Sequence, residues 1–123
     1  LASTERGRGA ALVDFDGDGR LDVLVLNRRA PLQIYRNETP DAGHWLAVSL
    51  IQPGGNRHAI GASVTVNGDM QRAIIGGGHA GGQASPLHFG LGDATQAEIT
   101  VEWPSGQITH HTATADQIVT LSP

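Results

Sequence analysis

Apolar residues along this chain come in short runs separated by turn-forming residues, and that rhythm sets the reading of its fold. Residues 10–13 and 21–26 are apolar runs on either side of a polar, acid-rich loop, and residues 32–35 make a third short run. The segment 38–43 holds Thr, Pro, Asp and Gly and reads as a linker. Beyond it, residues 45–51 (W-L-A-V-S-L-I) and 62–66 (A-S-V-T-V) are rich in β-formers. Asn67-Gly68 between the second of these and residues 70–75 is a hairpin signal, because both turn positions need positive φ. Residues 97–103 alternate, with Ile99, Val101 and Trp103 on one face and Glu98, Thr100 and Glu102 on the other. Pro104-Ser105-Gly106 is a turn from which residues 108–112 return, and residues 118–121 form a last strand. No stretch of eleven residues holds a 3.6-residue period. The expectation is an all-β chain: a three-stranded piece over residues 1–40, then a small antiparallel β-sandwich over 41–123.

Composition agrees with short strands and tight turns, since the 123 residues include 17 Gly and few aromatics. Trp103 and Phe89 are large apolar groups of the second half, and at least one of them belongs in a core. Cysteine is absent, which excludes disulfide and thiol chemistry. No apolar run approaches the roughly 18 residues of a membrane span, and no signal pattern is visible. The first residue is Leu1, so the chain reads as a piece of something longer.

Charge changes the picture more. The net charge is −4, from eight Arg, no Lys, eight Asp and four Glu. Asp14, Asp16, Asp18 and Asp22 lie within nine residues, and the other eight acids balance the eight arginines. The deficit therefore belongs to one loop. Nucleic-acid binding has little electrostatic support, and a P-loop is excluded for want of lysine. With the rest of the chain neutral, no charge-driven partner is expected, and recognition is expected from loops of the second half.

The acidic loop reads D-x-D-x-D-G-x-x-D over residues 14–22. Carboxylates at alternate positions converge when the backbone curls, and Gly19 supplies the sharp turn. Four acids held together repel strongly without a counter-charge. A hard cation resolves this, and Ca²⁺ suits it better than Mg²⁺, which prefers fewer protein ligands. The candidate ligands are Asp14, Asp16, Asp18 and Asp22 through their side chains and Arg20 through its carbonyl oxygen. An EF-hand fails, because loop position 12 is Val25 rather than Glu and the flanks are strand-like. The plain alternative is a solvated Asp-rich turn.

The run from Gly9 to Leu26 around this loop resembles an FG-GAP/VCBS repeat, the calcium-binding blade unit of integrin-type β-propellers. One copy covers roughly residues 6–37, which implies further upstream blades in a parent protein as partners. A second resemblance rests on His44-Trp-Leu-Ala-Val-Ser-Leu50, Asn56-Arg-His-Ala-Ile-Gly61-Ala, Leu87-His-Phe-Gly-Leu-Gly92 and Val101-Glu-Trp-Pro-Ser-Gly106. These look like signatures of the ASPIC/UnbV domain, which follows FG-GAP/VCBS repeats at the C-terminus of secreted proteins, and they span about residues 43–121. One departure is Gly78-His79-Ala-Gly-Gly, where the family has a bulkier segment. The two resemblances imply a partial propeller-type blade packed on the sandwich.

Catalytic signals are weak. His110 and His111 are adjacent and point to opposite faces of a strand; His44, His58, His79 and His88 show no H-x-H or H-E-x-x-H spacing. The G-x-G-x-x-G string at residues 76–81 lacks the following helix that a dinucleotide site needs. Glu98 and Glu102 stand roughly 13 Å apart along a strand, too far for paired carboxylates. Asn37-Glu38-Thr39 is a glycosylation sequon, weakened by Pro40. The expected function is a calcium-stabilised, non-catalytic binding or adhesion module, extracellular or periplasmic, contacting a protein or glycan. The alternatives are an accessory domain of a secreted enzyme and an enzyme acting through the Gly-rich loop of His79.

Overall fold

The computed structural model describes residues 4–76 and 86–123. These are all-β, with no helix among the described residues. They fall into two compact units: one runs to Ala42 and takes in residues 75–76, and the other comprises Gly43–Ile74 and residues 86–123. The Gly-rich loop of His79 lies outside the described residues.

The first unit holds β1 (Gly7–Val13), β2 (Asp22–Asn27) and β3 (Gln33–Tyr35), an antiparallel sheet in the order β1-β2-β3. The acid-rich loop is the connection from β1 to β2, because Val13 pairs with Asp22 at the closing rung. Cross-strand sets put Leu12, Val23 and Tyr35 on one face and Ala11, Leu24 and Ile34 on the other. Both faces are thus apolar, and Leu12, Leu26 and Ile34 stay 44–51% exposed.

The second unit contains β4 (His44–Leu50), β5 (Ser63–Val66), β6 (Asp69–Arg72), β7 (Leu87–Gly92), β8 (Gln96–Glu102), β9 (Ile108–Thr114) and β10 (Gln117–Leu121). Two sheets, ordered β10-β4-β7 and β6-β5-β8-β9, share one core. Leu46, Val48 and Leu50 on β4, Phe89 on β7, Val64 and Val66 on β5, and Ile99 and Val101 on β8 supply it, together with Trp103. Both large aromatics are buried, and the Trp103 indole N–H donates to Thr109 Oγ1 at 2.9 Å, which satisfies its one polar atom. The Asn67-Gly68 turn has φ of 47° and 98° and joins β5 to β6 as its sequence requires. In the Pro104-Ser-Gly106 turn the Gly106 N–H donates to the Trp103 carbonyl. Ser105 is not among the positive-φ residues, so the turn is of type I rather than type II.

Three features depart from the sequence reading. Residues 87–92, read as a glycine-bearing signature, form a strand, because Phe89 enters the core and Leu46, Trp45 and His44 pair with Phe89, Gly90 and Gly92. Gly43 packs against that same end, where a Cβ would meet the Gly92 carbonyl oxygen at 2.9 Å. The strand expected over 70–75 ends at Arg72, and Ile74 is exposed. Finally, the sandwich is not wholly antiparallel: β10 runs parallel to β4, with Gln117 opposite Leu46. The cause is Asp116. With φ of 61° it turns the chain from one sheet to the other. Its N–H donates to the Trp45 carbonyl at 2.7 Å, its Oδ1 accepts the Trp45 N–H, and its Oδ2 meets His44 Nδ1 at 2.7 Å. The next strand is thereby started beside the beginning of β4 and runs in the same direction.

Candidate metal centre

A hairpin that closes at Val13 and Asp22 must turn within eight residues, and the loop does so by folding its amides onto its own carboxylates. Gly17 and Gly19 adopt φ of 76° and 85°, a conformation that side chains rarely accept. Asp14 then accepts three backbone N–H groups: Gly17 and Asp18 on Oδ1 at 2.8 and 3.0 Å, and Gly19 on Oδ2 at 2.9 Å. Asp18 Oδ1 accepts the Arg20 N–H at 2.9 Å. In this curl one carboxylate oxygen from each of Asp14, Asp16 and Asp18 lies within 4.8 Å of the others.

Asp22 is placed differently. It is the one buried charged side chain among the described residues, 1% exposed. Its Oδ2 accepts the Phe15 N–H at 3.0 Å and its Oδ1 the Asn37 N–H at 2.7 Å. It thus ties the loop to the segment after β3, and the converging group of acids comprises Asp14, Asp16 and Asp18. A carboxylate has about four lone-pair sites, so two amide bonds leave Asp22 with acceptor capacity.

Two arginines answer the concentration of negative charge. Arg36 reaches Asp16 at 2.7 Å and Asp18 at 3.4 Å, and the Arg20 guanidinium pairs with Asp18. The Arg20 amide bonded to its carboxylate, followed by the charge and hydrogen bond of the Arg20 guanidinium and the hydrogen bond from Arg36, holds Asp18 below the ordinary carboxylate value. Asp16 in turn raises Arg36 above its ordinary value.

Arg36 and Asn37 were not expected from the sequence as parts of this site. Asn37 closes it from three sides: its N–H binds Asp22, its carbonyl accepts Arg20 Nε at 2.9 Å, and its side-chain amide donates to the Leu21 carbonyl at 3.2 Å. Its Oδ1 also accepts from the Thr39 amide and hydroxyl. Half-buried and bonded in this way, Asn37 is a clasp of the loop. The only signal in the sequence was the sequon, which points to a different chemistry.

Chemically, three converging carboxylates form an all-oxygen, anionic donor set, the kind that suits a hard divalent cation rather than a soft one. Four of the described histidines have their partners elsewhere. His44 pairs with Asp116, His110 with Thr100 and His111 with Thr109, while the His88 ring stacks on Trp45 at 5.5 Å. His110 and His111 sit on opposite faces of β9, as their adjacency requires.

Comparison with known proteins bears on both parts of the chain. Residues 52–123 match the ASPIC and UnbV family, and residues 14–69 match the FG-GAP-like repeat. The two matches overlap over residues 52–69. The chain is 30% identical to mouse cartilage acidic protein 1 over 121 residues, covering 92% of the chain and 19% of that protein. It is 33% identical to the protein of the same name from Xenopus tropicalis and 32% identical to the human one, covering 84% of the chain and 17% of each. The chain therefore spans under a fifth of the length of these relatives. No solved structure matches it at a significant level.

Proposed function

The chain belongs to the ASPIC and UnbV family, and from that premise we propose that it is a calcium-stabilised, non-catalytic module of a larger extracellular FG-GAP repeat protein, with residues 1–40 as a blade segment and 41–123 as the ASPIC/UnbV-like domain. The observation that carries the reading is the convergence of Asp14, Asp16 and Asp18 within 4.8 Å, at the start of the FG-GAP-like match. Ca²⁺ would be held by these three carboxylates, by the Arg20 carbonyl oxygen and by Asp22 through the acceptor sites its amide bonds leave. The ion supplies structural cross-linking of a loop that otherwise relies on guanidinium counter-charge. Asp14 is already oriented by three loop amides, so little reordering is needed on that side. Arg36 must give way on Asp16 and Asp18 as the ion enters.

The two apolar faces of the first sheet support neighbouring blades as partners. A sheet that faces water on one side alternates apolar and polar, whereas one covered on both sides is apolar throughout. Leu12 on one face and Leu24 and Ile34 on the other fit the covered case. The same reading gives the module an adhesion role toward a protein or glycan outside the cell, in keeping with relatives named for cartilage.

The test is thermal. Because the ion binds the folded loop only, a chelator should lower the melting temperature by several degrees. Asp16→Ala combined with Asp18→Ala should remove that response. An unchanged melt on chelation of the calcium-loaded chain would sink the assignment.

A further inference from the structure

Apart from the four loop aspartates the charges of this chain sum to zero, but the fold separates them. The β1–β2 hairpin carries the four aspartates at its turn. At the opposite end of the seven-residue β1, roughly 20 Å away at about 3.3 Å per residue, Thr4, Glu5, Arg6, Arg28 and Arg29 surround a recess of about 510 Å³. Three arginines and one glutamate line it, a local charge of +2 by the difference of three and one. Three of the eight cations of the chain are gathered at this place.

We propose that this recess is a binding site for a sulfate or phosphate ester carried on a ligand about the size of one sugar ring. The arginines are held in place by the backbone. The Arg28 N–H donates to the Arg6 carbonyl at 2.9 Å, which fixes these two residues opposite each other where β1 begins and β2 has ended. The turn that follows is pinned by Asn27, whose side-chain amide donates to the Pro31 carbonyl and to Gln33 Oε1. Within that turn Arg29 has φ of 58°. A left-handed position usually goes to Gly or Asn, and a long side chain there carries backbone strain of about 1 kcal/mol or more. A strained cation lining a recess with two others is the pattern of a site, since a glycine would serve the turn alone.

The chemistry narrows the ligand. Guanidinium forks match the geometry of tetrahedral oxyanions and of carboxylates, and a local charge of +2 favours a dianionic or strongly acidic group. The volume falls within the roughly 300–1,000 Å³ of small-ligand sites, larger than an inorganic anion needs. Among the described residues no aromatic side chain lines the recess, so a nucleobase has nothing there to stack on, and the acidic chain as a whole repels a polynucleotide. The inference stands apart from calcium binding and uses none of its residues.

The experiment is calorimetric titration of the whole chain at low salt with three probes: a monosaccharide 6-sulfate, the matching 6-phosphate and the unmodified sugar. At least one charged sugar should bind, the neutral one should not, and affinity should fall as salt rises. Arg28→Gln combined with Arg29→Gln should weaken binding by roughly tenfold or more, from the loss of two charge-assisted contacts. Arg29→Gly should weaken it about three- to fivefold, by the same kind of loss, while leaving the melting temperature equal or higher, since strain is relieved. Binding of the sulfate or of the phosphate alone supports the site and names the ester. No binding by either charged sugar, or unchanged binding in the double variant, overturns it.

Discussion

Asp22 shows what one carboxylate contributes when it is buried. With 1% of its surface exposed, it is stable in its place because the Phe15 and Asn37 amides bond its two oxygens. Asp22→Ala orphans both donors, and each costs roughly 1–3 kcal/mol. A lower melting temperature than the parent chain is expected even in excess chelator. Asp16→Ala should do far less in chelator, because its pair with Arg36 is a surface contact worth about 0–1 kcal/mol. Equal melts of the two variants in chelator would contradict the distinction. Asp18 adds a pH dependence. Its folded-state value lies below the ordinary 3.8, chiefly through the Arg20 amide, so its stabilising contribution is complete above the unfolded-state value and is lost as pH falls through the folded one. Acid titration of the chelated chain should therefore show a loss that begins below about pH 4 and is smaller in Asp18→Asn. The D-x-D-x-D-G spacing made the loop legible from sequence, because local curling alone brings alternate carboxylates together. Arg36 and Asn37 were not legible, since their approach depends on where β3 ends relative to the loop.

At the scale of strands, the pairings that close through short turns were readable, and those that cross between sheets were not. Asn67-Gly68 fixes β5 against β6 by its own φ preference, and alternation fixes which face of β8 is buried. The parallel alignment of β10 with β4 has no counterpart in local pattern, because it rests on Asp116 bonding to residues about 70 positions earlier. Asp116→Ala removes the acceptor for the Trp45 amide, the partner of His44 and a side chain tolerant of positive φ. A destabilisation of roughly 1–3 kcal/mol is expected by denaturant titration. Asp116→Asn should recover most of it, since Asn keeps an acceptor and the same turn preference. Strand β7 was missed for a related reason. Its Leu87-His-Phe-Gly-Leu-Gly92 sequence carries two glycines that argue for a turn, and only the pairing with β4 and the burial of Phe89 make it a strand.

On the scale of the whole chain, the two compact units give separate expectations. Hydrogen exchange with and without Ca²⁺ should show added protection in the loop amides between Asp14 and Asp22 and at Asn37, with the β8 amides of the sandwich core unchanged. Protection that rises evenly over the chain would speak against a local site. The family membership and the all-β class were both present in the sequence, carried by spaced motifs and a period-two pattern. So was the acidic loop, because its carboxylates lie within nine consecutive residues and their convergence needs only a turn. Tertiary structure alone decided the parallel strand, the buried role of Asp22 beside its converging neighbours, and the gathering of Arg6, Arg28 and Arg29 in a chain whose charges, the four loop aspartates apart, cancel on paper. The reason is the same in each case. Sequence fixes what neighbours along the backbone can do, while summed charge and local period say nothing about which distant residues the sheet register will bring face to face.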